Sequence, residues 1–526
     1  MTPSRPESAG GRPPATPINR VLVANRGEIA VRVIRACREM GLGTVAICSE
    51  ADRGALHAEL ADMAVLVGPA EPAESYLNLD RIIEVALATD ADAIHPGYGF
   101  LAENAAFARA CAAAGLVFIG PEADVITSMG EKTAARALME AAGVPVVPGA
   151  LLPEPDAQGI YPAAEVLAIC ETVGFPLMIK AAFGGGGKGM RLVASAGDAV
   201  KACQAASREA AGAFGNGTVY LEKFIERPRH VEFQIFSDAH GNHVHLFERE
   251  CSIQRRHQKI IEESPSPALT PALRQEMGAA AVAAARAVGY RGAGTVEFLL
   301  DAAGDFYFLE MNTRLQVEHP VTELVTGTDL VRAQIQVAEG RTLPWTQADL
   351  ACRGHAIECR LYAEDPEQNF LPSLGQLVLL HEPSGPGVRI DSGVRQGDAI
   401  TMYYDPLIAK LSVHGPDRNA AIERAVAALK QYAVLGVTTN VEYLIDILQQ
   451  PRFVAGDLHT GFLTEHLPDW TSARSADGDL ALAVAAVAEH RRRSTPGAPS
   501  PDGHPPAEST ATPWQNLGGF RLRGLD

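Results

Sequence analysis

The sequence predicts an α/β protein, and three features carry the prediction. Strand and helix patterns alternate from Asn19 to about Gly143, the order of a parallel-sheet domain. A strand pattern holding Lys180 runs into Gly184-Gly-Gly-Gly187, where backbone N–H groups can come close to phosphate oxygens. Two extended runs, Gly294–Asp301 and Phe306–Glu310, meet at Ala302-Ala-Gly-Asp305 and read as a β-hairpin.

Met1 to Pro17 is rich in Pro, Gly and Ser and lacks the apolar stretch of a secretory signal, so residues 1–17 are expected as a disordered tail. Arg20–Ala24 reads as a strand, Glu28–Met40 as an amphipathic helix closed by Gly41, and Thr44–Cys48 as the next strand. Residues 18–146 are therefore expected to form the first domain. Gly41-Leu-Gly-Thr-Val-Ala46 spells part of a dinucleotide fingerprint, but it follows a helix and opens a strand. The fingerprint needs the reverse order, so the match is rejected. Residues 147–224 form a smaller unit around the glycine run. Lys188 is followed by Gly189, not by Ser or Thr, so the run is no P-loop; a flap over a nucleotide suits it better. Residues 225–468 form a large domain. In it, Arg255 and Arg256 point opposite ways if both lie in a strand, and Ser264-Pro-Ser-Pro267 ends that run. Residues 469–513 hold a helix, Leu480–Arg493, and a Pro/Ser-rich linker. Residues 514–526 are expected to open a further segment that the chain does not complete.

The chemistry concentrates in the hairpin. Alternate side chains of an extended backbone share one face, which would bring Glu310, Asn312, Arg314, Gln316 and Glu318 into one space. That surface suits a metal, a phosphate and a small anion. A two-residue turn at Ala303-Gly304 would set Glu297 opposite Glu310. Like charges facing across a ladder are destabilising, and a divalent cation between them removes the penalty. Mg²⁺ takes one or two carboxylates plus substrate phosphate oxygens. Two solvated carboxylates on an open sheet are the competing reading, which Asn312 and Arg314 on the same face weaken. Lys180, near its strand end, can neutralise phosphate charge. His230, and the basic run Gln254–Lys259, carry no functional claim unaided.

The bulk numbers exclude some classes. With 526 residues and 47% hydrophobic content the chain supports several packed units. A net charge of −18 argues against nucleic-acid binding. No apolar run reaches membrane-spanning length. The eight cysteines stand singly with no CxxC pair, which points away from zinc and disulfides and toward a reducing, cytoplasmic setting.

The motifs taken together resemble one family. They are Ala24-Asn-Arg-Gly-Glu-Ile-Ala30, His95-Pro-Gly-Tyr-Gly-Phe-Leu101, Met129-Gly-Glu-Lys132, the Gly184–Met190 flap, Gln254–Lys259, Gly294–Phe298, Glu310–Pro320 and Glu358-Cys-Arg360. From about Asn19 to Leu467 the chain resembles the biotin carboxylase component of biotin-dependent carboxylases, of the acyl-CoA carboxylase α-chain type, within the ATP-grasp superfamily. The resemblance implies a Rossmann-like N-terminal domain, a mobile ATP-grasp lid and a C-terminal ATP-grasp/biotin carboxylase domain. It implies carboxylation of carrier-bound biotin from ATP and bicarbonate through carboxyphosphate. By motif position it implies that Lys132 and Lys180 contact ATP phosphates and that Gly186 and Gly187 lie in the closing flap. Glu222, Lys223, Phe224 and Ile225 would read the adenine edge, with His230, Gln254 and His257 as further nucleotide-site residues. Glu297, Glu310 and Asn312 would hold Mg²⁺ or Mn²⁺, at two sites. Lys259, Arg314, Gln316 and Val317 match the bicarbonate pocket, Glu318 the base that deprotonates bicarbonate, and Arg360 the group that stabilises the biotin enolate.

The same resemblance implies a biotin carboxyl carrier protein or domain, a carboxyltransferase subunit, and a homo-oligomer, with no nucleic acid and no membrane. None of the ten Met residues is followed by Lys, so the biotin acceptor is expected on a separate polypeptide or on a continuation of this one. Phe183 stands where some relatives have Gly, and Pro386 replaces an aromatic of the dimer contact that Arg32, Arg35 and Glu39 match. The alternative is another ATP-grasp ligase joining a carboxylate to an amine. Arg256-His257-Gln258-Lys259 and Glu318 speak against it.

Overall fold

Short runs of β-branched and apolar residues become the strands of the first sheet. The computed structural model describes residues 17–153, 161–182 and 190–472, with Val484, Val487 and Arg491. In it, β1 (Arg20–Val23), β2 (Gly43–Ser49), β3 (Met63–Gly68), β4 (Ala93–His95) and β5 (Val117–Phe118) pair in parallel in the order β3-β2-β1-β4-β5. Period-two alternation sends Val21 and Val23 into one core and Leu22 into another, as a sheet covered on both faces requires. Ile29, Val33, Ile34 and Cys37 of the Gly27–Glu39 helix fill the first of these cores. Gly41, at φ +74°, ends that helix as its position foretold.

A second sheet comprises β6 (Gly149–Leu151), β7 (Leu177–Ala181), β8 (Arg191–Val193) and β9 (Val219–Lys223), antiparallel in the order β6-β9-β7-β8. Helices Ala163–Val173 and Ala196–Phe214 cover one face, where Cys170, Cys203 and Ala206 meet Leu177, Ile179 and Leu221. Alternation leaves Met178 and Lys180 on the other face.

The third sheet is antiparallel and has eight strands. Its order is β14 (Phe306–Asn312), β13 (Gly292–Leu300), β10 (Arg229–Ser237), β11 (His243–Arg255), β12 (Gln258–Ser264) and β15 (His355–Tyr362), then the strands Leu407–Gly415 and Val388–Ser392. Met277, Ala281, Ala284 and Ala285 of the Pro271–Ala287 helix pack on Phe233, Val296 and Phe298.

The structure corrects three expectations. The hairpin loop has three residues, Ala302 to Gly304, because Asp301 N donates to Asp305 O at 2.9 Å. A bulge at Leu309 then shifts the register from Phe298↔Phe308 to Glu297↔Glu310. Loop and bulge compensate, so the facing carboxylates stand as expected although the turn does not. Next, the strand ends at Asn312; Arg314 to Glu318 lie in the turn before the His319–Thr326 helix, and no single extended face carries all five polar groups. Finally, Arg256 is not in a strand. With His257 it forms the tight β11–β12 turn, at φ +48° and +67°.

The tail to residue 16, the Gly184–Lys188 flap with Gly186 and Gly187, the Ser494–Pro513 linker and the Trp514–Asp526 segment lie outside the described residues. Val484, Val487 and Arg491 are helical, inside the expected Leu480–Arg493 helix. All eight cysteines are unpaired thiols. Among the described residues no helix is long and apolar enough to cross a membrane.

Candidate active site

Three neighbouring strands place Glu232, Glu297 and Glu310 in one row across the third sheet, in the registers Glu232↔Glu297 and Glu297↔Glu310. Such a row is unfavourable unless cations stand among the carboxylates. Lys259, on β12, supplies one. Its Nζ donates to Glu297 Oε1 at 2.8 Å and Glu318 Oε1 at 2.7 Å, and also to Glu232 Oε2. Burial would discharge Lys259, but the three carboxylates outweigh it and hold its ammonium well above the usual range. Arg249, fully buried, donates to Glu232 Oε1 at 2.6 Å, Gln234 Oε1 at 2.7 Å, Thr322 Oγ1 at 3.0 Å and Thr295 Oγ1 at 3.1 Å. Each of its three nitrogens thus has a partner without solvent.

Glu297 is the centre of the row. Asn312 Nδ2 and Gln316 Nε2 donate to its Oε1 at 2.9 and 3.0 Å, and His230 Nε2 lies 2.8 Å from Oε2. Burial would raise this carboxyl, yet Lys259 and His230 hold it well below the usual range. Glu310 differs. It opens onto the cavity, and no group among the described residues donates a hydrogen bond to it. Its position on the cleft wall, and then the charge of Glu297, push its carboxyl up. Two facing carboxylates, with Asn312 beside both, are a hard-oxygen donor set that fits Mg²⁺.

Arg314 is tied from three sides. Its Nε donates to Glu103 Oε2 at 2.8 Å, Nη1 to Gln316 Oε1 at 2.8 Å and Nη2 to Asn312 Oδ1 at 3.2 Å. Glu103 comes from the first domain and also accepts from Thr313 N at 3.0 Å. Glu318 precedes the His319–Thr326 helix and is fully buried. Arg360 Nη2 donates to its Oε2 at 3.0 Å. Burial alone would raise the Glu318 carboxyl; Lys259, Arg360 and Arg249 hold it well below its ordinary range.

A cavity of about 1040 Å³ joins these groups. Its polar end is lined by His230, Gln254, His257, Lys259, Glu297, Glu310, Asn312, Arg314, Gln316, Val317 and Arg360. Its other end is lined by Lys132, Lys180 and Glu222 to Ile225, with Met178, Leu299, Leu309 and His459. Every described residue expected at the site lines this cavity except Glu318, which sits behind its wall. Lys180 Nζ donates to Glu222 Oε2 at 2.5 Å, and Arg136 lies 3.3 Å from Glu222. Glu232, Arg249, Glu103 and Glu262 carried no role in the sequence. Only Glu232 left a usable trace: it stands two residues from His230 on one strand face.

A small and a large antiparallel sheet thus border one cleft, lined by Lys132, Lys180 and Lys259 and by the paired carboxylates Glu297 and Glu310. They define an ATP-dependent ligase of the ATP-grasp class. Residues 17–126 match the family model "Biotin carboxylase, N-terminal domain", 131–346 "Carbamoyl-phosphate synthase L chain, ATP binding domain", and 358–465 "Biotin carboxylase C-terminal domain". The biotin carboxylase of Nostoc sp. is 54% identical over 85% of this chain and 99% of its own. The mitochondrial methylcrotonoyl-CoA carboxylase subunit alpha of Dictyostelium discoideum is 48% identical over 96% of this chain and 71% of its own. Among solved structures, the biotin carboxylase domain dimer of Hydrogenobacter thermophilus 2-oxoglutarate carboxylase, in complex with MgADP, ADP and bicarbonate, is 46% identical. It aligns at a TM-score of 0.81 over 87% of this chain and 99% of that one. The chain belongs to the biotin carboxylase family.

Proposed function

We propose that this chain carboxylates carrier-bound biotin with bicarbonate and ATP, as the first half-reaction of a biotin-dependent acyl-CoA carboxylase. The observation that carries the reading is the grouping of Lys259, Arg314, Glu318 and Arg360 beside the Glu297–Glu310 pair.

Bicarbonate needs a fixed cation and a base. Arg314, already oriented by Glu103, Gln316, Leu315 O and Asn312, meets the anion with its fixed positive charge and its remaining Nη2 hydrogen. Lys259 adds a second charge. Glu318 takes the bicarbonate proton, which requires a base within hydrogen-bond reach. Lys132 and Lys180 meet ATP phosphates, Glu222 to Ile225 read the base, and His230, Gln254 and His257 complete the nucleotide site. Mg²⁺ held by Glu297, Glu310 and Asn312 would spread the charge of the transferring phosphoryl group. Carboxyphosphate hydrolyses readily in water, so the proposed chemistry requires that solvent be kept from the cleft. Arg360 stabilises charge on the ureido oxygen of biotin as its nitrogen loses a proton.

A biotin carboxyl carrier and a carboxyltransferase are the partners this half-reaction requires. A homo-oligomer is supported by the dimer named for the Hydrogenobacter domain. The unpaired thiols support the cytosol.

The test is ATP turnover with free biotin, with and without bicarbonate. Phosphate release that rises on adding bicarbonate is the expected result. Turnover indifferent to bicarbonate would favour a different ligase and overturn the reading.

A further inference from the structure

Behind Arg360 lies a second acidic pair that the reaction above does not use. Glu262 on β12 stands directly opposite Glu358 on β15, and both are fully buried. Arg360 Nε donates to Glu262 Oε1 at 2.6 Å, while its Nη2 reaches both Glu262 and Glu318, the latter at 3.0 Å. One guanidinium therefore bridges the base and the carboxyl behind it. Ser412 Oγ donates to Glu358 Oε2 at 2.7 Å. Glu262 Oε2 and Glu358 Oε1 have no partner among the described residues.

We propose that Glu262, with Glu358 facing it, is a positioning residue that anchors Arg360 so that Arg360 can exchange Glu318 for the biotin ureido oxygen. This deepens the proposed reaction and rests on it. Three cations, Lys259, Arg360 and Arg249, bear on Glu318 and make it a weak base. Biotin that draws Nη2 away removes one of them and makes Glu318 more basic. The Nε bond to Glu262 holds the guanidinium plane while Nη2 changes acceptor. Binding of biotin is thereby coupled to deprotonation of bicarbonate.

The charge on Glu262 sets how firmly Arg360 is held. Burial, with Glu318 and Glu358 adding to it, outweighs Arg360 and pushes the Glu262 carboxyl up to about 8. Burial pushes Glu358 up to about 7 against Lys410, Ser412 and Arg360. The nearby thiols, Cys251 on β11 and Cys359 on β15, are pushed well up and stay neutral. The facing pair therefore retains a proton at neutral pH, the usual outcome for two carboxyls in one dry site.

Two measurements on the full chain test this. In Glu262→Ala, KM for biotin rises about tenfold, the size of one lost charge-assisted hydrogen bond, while KM for ATP moves by less than about threefold. In Glu262→Gln, which keeps an acceptor for Arg360 Nε, KM for biotin recovers in part, but the ionisation near pH 8 leaves the pH profile of kcat/KM for biotin. Infrared spectroscopy of the ligand-free protein adds a readout independent of turnover. A protonated-carboxyl component that titrates away near pH 8, and is lost from the band in Glu262→Gln, supports the pair. An unchanged KM for biotin in Glu262→Ala, or superimposable pH profiles for Glu262→Gln and the parent, overturns the proposal. If Glu262→Ala does not fold, the Glu262→Gln profile alone decides. Loss of bicarbonate-dependent turnover in the parent protein would sink the reaction instead, leaving the infrared band to judge the pair.

Discussion

At the scale of single residues, the site is a set of carboxylates whose properties are dictated by which cations they touch. Glu297 and Glu318 are both buried and both held far below the usual range, because Lys259 and its companions outweigh desolvation. Glu310, one strand further on, lacks such a donor among the described residues and is pushed the other way. The contrast assigns them different work: Glu310 awaits an external cation, and Glu318 awaits relief from its internal ones. Replacing Glu318 by Gln keeps the side-chain shape and removes the proton acceptor. Bicarbonate-dependent ATP turnover is expected to fall by at least about 10²-fold, the ordinary contribution of a positioned base. The affinity for MgADP, measured by calorimetry, is expected to change little. A turnover close to the parent's would remove Glu318 from the chemistry. A second expectation concerns Arg314. Glu103→Gln replaces its charged partner across the domain boundary, so KM for bicarbonate should rise about tenfold while KM for ATP holds.

At the scale of elements, the metal row depends on how one hairpin corrects its own register. A three-residue loop sets the pairs Leu300↔Phe306 and Phe298↔Phe308. Continued unbroken, that register would place Leu309 opposite Glu297 and turn Glu310 toward the core side with Val296. The bulge at Leu309 prevents this, since an extra residue on one strand restores the face of the residues beyond it. Inserting one Ala between Leu309 and Glu310 moves Glu310 opposite Val296, and is therefore expected to abolish the preference for MgADP over metal-free ADP and to lower the unfolding temperature by turning a carboxylate toward the core beside Val296 and Phe298. Deleting Ala303 shortens the loop without altering the register, and should leave that preference intact. Equal effects of the insertion and the deletion would refute the register argument. The same hairpin shows what the sequence could reveal. Period-two alternation exposed Glu310 and Asn312 correctly, because both lie in the strand. It grouped Arg314, Gln316 and Glu318 with them on a strand that has already ended, and those residues reach the cavity through a turn instead. Leu309 left no sign, because a bulge is a departure from periodicity and looks like an ordinary apolar residue. Glu103 and Glu262 were silent for another reason: their partners, Arg314 and Arg360, lie far along the chain, and only the folded sheets bring them together.

At the scale of the whole molecule, buried charge fastens the first domain to the third sheet. Arg32 on the Gly27–Glu39 helix donates to Glu323 at 3.0 Å and Asp329 at 2.7 Å, and Arg389 donates to the same Glu323 at 2.7 Å. Lys410, with no exposure at all, donates to Val317 O at 2.8 Å and lies 3.3 Å from Glu28 Oε2. The helix that opens the first domain thus bears, through Glu28 and Lys410, on the turn that carries Val317 and Glu318. Neither Glu28 oxygen makes a hydrogen bond among the described residues. Burial, opposed by Lys410, pushes the Glu28 carboxyl up to about 7, against about 4.3 for an unfolded Glu. An acid whose folded value exceeds its unfolded value binds more protons folded than unfolded between the two. Its contribution to stability is complete below the unfolded value and is lost as pH rises through the folded one. Glu358, at about 7, and Glu262, at about 8, act in the same direction. His57, His95 and His245 are lowered by burial to about 4. Their contribution is complete above about 6.5 and is lost as pH falls through about 4. Between about pH 4.3 and 6.5 the two sets oppose each other; above it the carboxyls act alone. The unfolding temperature should therefore decline from about pH 6.5 to about pH 8.5. Glu28→Gln removes one of the titrating carboxyls, so its decline over that interval should be shallower than the parent's by about one proton's worth, near 1.4 kcal/mol per pH unit at most. Parallel declines for the two proteins would mean that Glu28 is already ionised against Lys410 across the interval.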